Sequence, residues 1–207
     1  GAFANSCNGV FAQLAAELGA DTMTKYVEQA GLLSRYSVDG IQTAQGSYDL
    51  TGATQGQLGW SGVGQYNDLA NPCAMMVWMG AVANGGKAAV PRLIQEVDGG
   101  LPQISLPFGK ETGTLIQSDT ARTLADMMAQ NVVQTYGSGR FPNMDICAKS
   151  GTAEVGGDKR PNAWFVGFLR NEDAPYAFAV VVEEGGSGAG AAGNVAAQVL
   201  NALVNGY

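Results

Sequence analysis

The chain has 207 residues, 46% of them hydrophobic and 14% charged, so it can bury a core and is not of disordered composition. Its net charge of −7 argues against nucleic acid and against an anionic membrane surface as partners, while leaving room for a local positive pocket. No histidine occurs, which excludes Ser-His-Asp and Cys-His catalysis, histidine-ligated zinc and histidine pH switching.

Acid–base chemistry is thereby left to Lys, Asp, Glu, Tyr or Cys. Cys7, Cys73 and Cys147 are far apart and form no CxxC pair, so neither a metal site nor a cofactor is expected. Each reads as a small buried hydrophobe.

In chain order, Phe11, Leu14, Ala15 and Leu18 fall at i, i+3, i+4 and i+7, one apolar helix face ended by Gly19. Asp21 is placed to cap a second helix through Ala30, stopped by Gly31. Residues 37–64 are rich in Gly, Gln, Ser and Thr and read as a long irregular loop with short strands. Pro72 to Ala83 reads as a helix buried on every side, opened by Pro72 and closed by Asn84-Gly85-Gly86.

Short extended pieces are expected on either side of a turn at Asp98-Gly99-Gly100. Ser118 or Asp119 then caps a long helix through Tyr136, with Leu124, Met127, Met128 and Val132 as its apolar stripe. After residue 140 the period changes. "MDICAKSGTAE", "NAWFVGFLR" and "PYAFAVVVEE" are strand-like runs whose short connections favour antiparallel pairing. "NVAAQVLNALV" is a closing helix. The expected division is a mostly helical part over 1–140 and a strand–helix part over 141–207.

Two stretches are candidates for chemistry. Gly188, Gly190 and Gly193 match G-x-G-x-x-G, but the chain ends at Tyr207 without the following strand and acidic residue of a dinucleotide site, so a flexible strand–helix turn is expected there. Lys149-Ser150-Gly151-Thr152 places a lysine among hydroxyls, a chemistry suited to a carboxylate. Gly151 removes a side chain and lets a ligand backbone lie against the strand. Read alone, the segment fits equally an exposed edge strand whose lysine discourages strand pairing. Near the start, Ser6-Cys7-Asn8 opens the first helix, either as a plain cap or as a hydroxyl and amide presented to a cleft.

The combination decides between these readings. Ser6-x-Asn8, then "GVGQYNDLANPCAMMVWMGAVANGG" from Gly62 to Gly86, then Lys149-Ser150-Gly151-Thr152, then Trp164 in "NAWFVGF", resembles the penicillin-binding transpeptidases of cell-wall synthesis, class B type. The likeness runs over nearly the whole chain in the family's motif order. It implies the α+β fold of the β-lactamase/transpeptidase-like superfamily, with a helical subdomain, part of an antiparallel sheet and a flanking C-terminal helix. It also implies a D,D-transpeptidase that works through a serine acyl-enzyme on D-Ala-D-Ala stem peptides and is acylated by β-lactams. The implied location is the outer face of a bacterial membrane, reached through an N-terminal anchor.

The resemblance assigns roles. Ser6 would relay a proton to the leaving amine, and Asn8 would hold the substrate amide. Lys149 would supply positive potential. Ser150 and Thr152 would bind the terminal carboxylate beside Gly151, and the Thr152 N–H would be one oxyanion donor. One element departs from the pattern. No serine here has lysine three positions later, and Thr22-Met23-Thr24-Lys25 falls after Ser6 rather than before it. The acylated serine is therefore expected upstream of Gly1, with this chain pairing either with that missing segment of the same domain or with another copy of itself. The same fold would also serve a β-lactam sensor, a serine β-lactamase or a catalytically dead relative. From pattern alone, a non-enzymatic binding domain fits as well.

Overall fold

The computed structural model describes residues 1–94 and 109–206. The expected turn at Asp98-Gly99-Gly100 lies outside the described residues.

Helix α1 (Asn8–Leu18) ends at Gly19 in a left-handed conformation, φ 79°, as the apolar spacing predicts. Helix α2 (Ala20–Gln29) follows directly. Its N-cap is Gly19, and Asp21 sits inside the first turn, where a carboxylate favours the positive end of the helix dipole. The irregular stretch does hold two short strands, β1 (Ser37–Val38) and β2 (Ile41–Gln42), paired antiparallel. It also holds a helix that the periodicity does not show, α3 (Gln55–Gly62). Thr54 and Gln57 close a reciprocal capping box there, each side chain bonded to the other's backbone N–H.

Helix α4 (Pro72–Ala83) has the expected bounds, and the Asn71 side chain caps it by accepting from the Cys73 N–H. Ala74, Val77, Met79, Ala81 and Val82 are buried around its circumference. Helix α5 (Ser118–Asn131) starts from Gln117 rather than from Ser118 or Asp119. It runs into a π-helical turn, Val132–Tyr136, that stops at Gly137 with φ 82°.

Strands β3 (Ile146–Ala153), β4 (Asn162–Leu169) and β5 (Ala177–Val182) form one antiparallel sheet in that order. A second π-helical turn, Gly188–Ala192, leads into α6 (Gly193–Asn205). Among the described residues, no helix is long and apolar enough to cross a membrane.

The sheet is covered on both faces. On one, Ile146, Ala148, Ala163 and Phe165 pack against Ala196 and Leu200 of α6 and against Val132 and Phe141. Phe165 is the hub: Phe141 and Phe178 stack on it at 6.0 and 6.1 Å, and Tyr136 meets it edge-on at 5.1 Å. On the other face, Cys147 and Phe168 pack against Met79 and Val82 of α4 and Met128 of α5. Burial falls along β3, from Ile146–Ala148 inside to Gly151–Thr152 exposed. The lysine–hydroxyl segment thus sits where the sheet leaves its helical cover.

Gly188, Gly190 and Gly193 do form a strand-to-helix turn, and its glycines answer to packing. A Cβ on Gly188 would lie 2.1 Å from the Gly151 carbonyl oxygen, and one on Gly193 would lie 2.9 Å from the Arg140 guanidinium. Arg140 in turn donates to the Ala189 carbonyl at 2.7 Å and to Asn194 Oδ1 at 2.6 Å, fastening the turn.

Candidate active site

The structure brings Ser6 and Lys149 together, 143 residues apart in sequence: the Lys149 ammonium donates to the Ser6 hydroxyl. It donates also to the Ser150 carbonyl at 2.8 Å and lies 6.0 Å above the Phe3 ring. Burial pushes the Lys149 ammonium down from its ordinary range, because partial removal from water disfavours the charged form.

Ser6 is not a cap. Cys7 occupies the N-cap position of α1 without a side-chain bond, and Ser6 lies before it in the left-handed region, φ 47°. That conformation costs an L-residue about 1–2 kcal/mol. Backbone bonds hold it: Ser6 N–H to the Phe3 carbonyl at 3.2 Å and Cys7 N–H to the Ala2 carbonyl at 3.0 Å. Phe3 packs on the Met79–Phe168 cluster, and the Thr135 hydroxyl lies 3.3 Å from the Ala4 carbonyl. Asn8 is exposed at the first position of α1 and shares no hydrogen bond with Ser6 or Lys149.

Antiparallel pairing with β4 turns the odd-numbered backbone groups of β3 inward and the even-numbered ones to the free edge. Side chains meet most of that edge. Buried Asn131 donates to the Ala148 carbonyl at 2.7 Å, and its Oδ1 lies 3.0 Å from the Thr135 hydroxyl, whose single proton serves either Asn131 or the Ala4 carbonyl, so Thr135 sits between β3 and the Ser6 loop. The Ser150 N–H donates to the Tyr136 phenol at 2.6 Å. Gln65 Nε2 donates to the Thr152 carbonyl at 3.4 Å. The Thr152 N–H shares the same edge.

Along this edge lies a cavity of about 450 Å³, lined by Lys149–Ala153, Trp164 and, opposite them, Ser61, Gln65 and Asp68. Ser6 and Asn8 are not part of its lining. A larger hollow of about 620 Å³ lies away from these residues, between α4 and the β4–β5 connection, and holds none of them.

Asp68 belongs to the site's wall although nothing in its local sequence marks it out. Ser61, itself buried, donates to its carboxylate at 3.1 and 3.0 Å. Burial pushes the Asp68 carboxyl up to about 6, with the Ser61 hydroxyl opposing the rise. A raised acid binds its proton more tightly folded than unfolded. Its contribution is full below the unfolded value, about 4, and is lost as pH rises through about 6. Since the carboxyl is partly exposed and solvent-screened, we expect an effect of about 1 kcal/mol. Urea unfolding at pH 4 and pH 7 checks this: Asp68→Asn should gain stability relative to the parent sequence as pH rises. An unchanged difference across that range would show that Asp68 titrates normally.

Cys147 faces the same side of β3 as Lys149 but is fully buried two residues deeper, where burial pushes its thiol up to about 11. It is packing and not a nucleophile.

A family model, the penicillin-binding protein transpeptidase domain, matches residues 1–205. The chain belongs to the penicillin-binding protein transpeptidase family. Among curated relatives of this family, it is 31% identical to the peptidoglycan D,D-transpeptidase PbpA of Mycolicibacterium smegmatis over 95% of this chain and 40% of the relative. It is likewise 31% identical to PbpA of Mycobacterium tuberculosis over 98% of this chain and 42% of the relative. It superposes on the ceftriaxone acyl-enzyme complex of penicillin-binding protein A from M. tuberculosis with TM-score 0.88 and 28% identity, covering 98% of this chain and 47% of that one. The chain thus spans about two fifths of the length of the curated transpeptidases it matches. The transpeptidase-like fold expected from the sequence is the observed one.

Proposed function

We propose that these residues form the substrate-binding half of a peptidoglycan D,D-transpeptidase, in a full-length protein that acts on the outer face of the membrane. The observation that carries this reading is the meeting of Lys149 with Ser6 beside a strand edge rich in hydroxyls. Family membership and the mycobacterial PbpA relatives support it.

The position of Lys149 beside Ser6 and the hydroxyls of β3 supports the following roles. Lys149 touches Ser6 and holds positive charge over it, so Ser6 is set to pass a proton to a departing amine. A substrate laid antiparallel on β3 meets Gly151, which offers no side chain in its way. Its terminal carboxylate falls among the Ser150 and Thr152 hydroxyls and the Lys149 ammonium, and the Thr152 N–H faces a carbonyl oxygen that gains charge during acylation. Asn8, at the start of α1, is assigned to the substrate amide. The acylated serine is supplied from outside these 207 residues, since no Ser-x-x-Lys occurs among them. β-Lactams carry a carboxylate beside a reactive carbonyl and fit the same wall.

Fluorescent penicillin followed by intact-mass measurement tests the reading. The full-length protein should take up one penicillin per molecule, and the 207-residue chain by itself none. A stoichiometric adduct on the isolated chain would overturn the assignment of its nucleophile. Fast nitrocefin turnover by the full-length protein would make it a β-lactamase instead.

A further inference from the structure

We propose that Tyr136 is a positioning residue that orients the Ser150 hydroxyl as a hydrogen-bond donor toward the carboxylate of the substrate. This rests on the reading of Ser150 given above.

The Ser150 backbone N–H can only donate, and it donates to the Tyr136 phenol oxygen at 2.6 Å. That oxygen therefore accepts on this side, and its one proton points onward, to Ser150 Oγ at 2.9 Å. Ser150 Oγ is thus an acceptor from Tyr136, and its own proton remains to be given elsewhere. Among the described residues it has no acceptor. The amide takes up one acceptor position of the phenol oxygen, and the phenol proton is placed toward Ser150 Oγ.

Thr152 shows the same polarity by a different route. Its Oγ1 accepts from the Gly188 N–H at 3.2 Å, another group that can only donate. Two hydroxyls, two residues apart on one strand, each accept one bond from a neighbour. Each keeps its own proton to donate. A ligand matching this arrangement is rich in acceptors and negatively charged.

The phenol is firmly placed. It ends a π-helical turn, whose extra residue per turn shifts the last side chain relative to a continued α-helix. Its ring rests edge-on against Phe165 at 5.1 Å, and Phe165 is fully buried. Without the phenol, the Ser150 hydroxyl can turn to other partners, and its proton is no longer aimed.

Stopped-flow acylation of the full-length protein by benzylpenicillin separates binding (Kd) from the acylation step. Tyr136→Phe should raise Kd about tenfold, the loss expected when a bond to a charged group is misdirected, and leave the acylation step within about threefold. Ser150→Ala should raise Kd at least as much, and Ser150→Thr should keep it near the parent value. In the Ser150→Ala background, Tyr136→Phe should change Kd less than about twofold, because its target is gone. Thermal unfolding of each variant confirms that it is folded. If Tyr136→Phe is as damaging in that background as alone, or does not unfold cooperatively, the phenol only supports the fold and the proposal falls. If Ser150→Ala raises Kd while Tyr136→Phe does not, the proposal falls and the role of Ser150 stands. If neither raises it, the carboxylate reading of Ser150 falls as well.

Discussion

Replacing Lys149 by alanine in the full-length protein is expected to slow penicillin acylation about a hundred- to a thousandfold, the range for loss of one preorganised group that meets developing charge. The ammonium does two things that alanine cannot. It holds Ser6, and in the proposed function it supplies the positive end of the carboxylate site, where partial burial strengthens its field. Arginine should restore little, since the guanidinium is a planar fork that stays charged, whereas the lysine is compact and its ammonium is already pushed down by burial. Stability should change far less than rate, because the side chain is only half-buried. Stopped-flow acylation with thermal unfolding in parallel checks both parts. A rate within threefold of the parent would remove Lys149 from the site.

Gly188→Ala is expected to destabilise the chain by roughly 3 kcal/mol or more, beyond the usual cost of an overpacked core. The added methyl would sit 2.1 Å from the Gly151 oxygen and 2.7 Å from the Trp164 oxygen. Both are backbone atoms of paired strands, so no side chain can rotate out of the way. The turn must lift off the sheet, and its lifting takes the Gly188 N–H away from Thr152. Urea unfolding measures the loss directly. A change below about 0.5 kcal/mol would mean that the turn is not seated as described.

What could be read from the sequence divides along a physical line. Helix α4 was legible because Asn71-Pro72 and Asn84-Gly85-Gly86 punctuate an unbroken apolar run. The three strands were legible because their apolar alternation and short connections leave few other pairings. Helix α3 was not, since Gly56, Gly59 and Gly62 blur its period. Yet Thr54-x-x-Gln57, a capping-box spacing, was there to be seen.

The site shows the same division. Lys149, Ser150 and Thr152 announce themselves as a lysine among hydroxyls, and their resemblance to a known motif drew Ser6 into the same frame. Tyr136 and Asp68 carry no such mark. A tyrosine closing an amphipathic helix looks like packing, and only the π-helical turn carries it to Ser150. An aspartate in a polar loop looks solvated, and only the fold buries it against Ser61. Asn8 had a motif in its favour, yet it stands exposed at the start of α1 and makes no side-chain hydrogen bond among the described residues.

The occupied edge of β3 also governs how this sheet can grow. Asn131, Tyr136, Lys149 and Gln65 already hold backbone groups of Ala148, Ser150 and Thr152. A long strand from another molecule would have to displace all four, whereas a short peptide end needs only the opening near Thr152. Among the described residues, β5 (Ala177–Val182) is an edge strand with no partner strand beyond it. Lateral extension of the sheet is therefore one-sided among the described residues: side chains guard the β3 edge against a ribbon, and the open edge is that of β5.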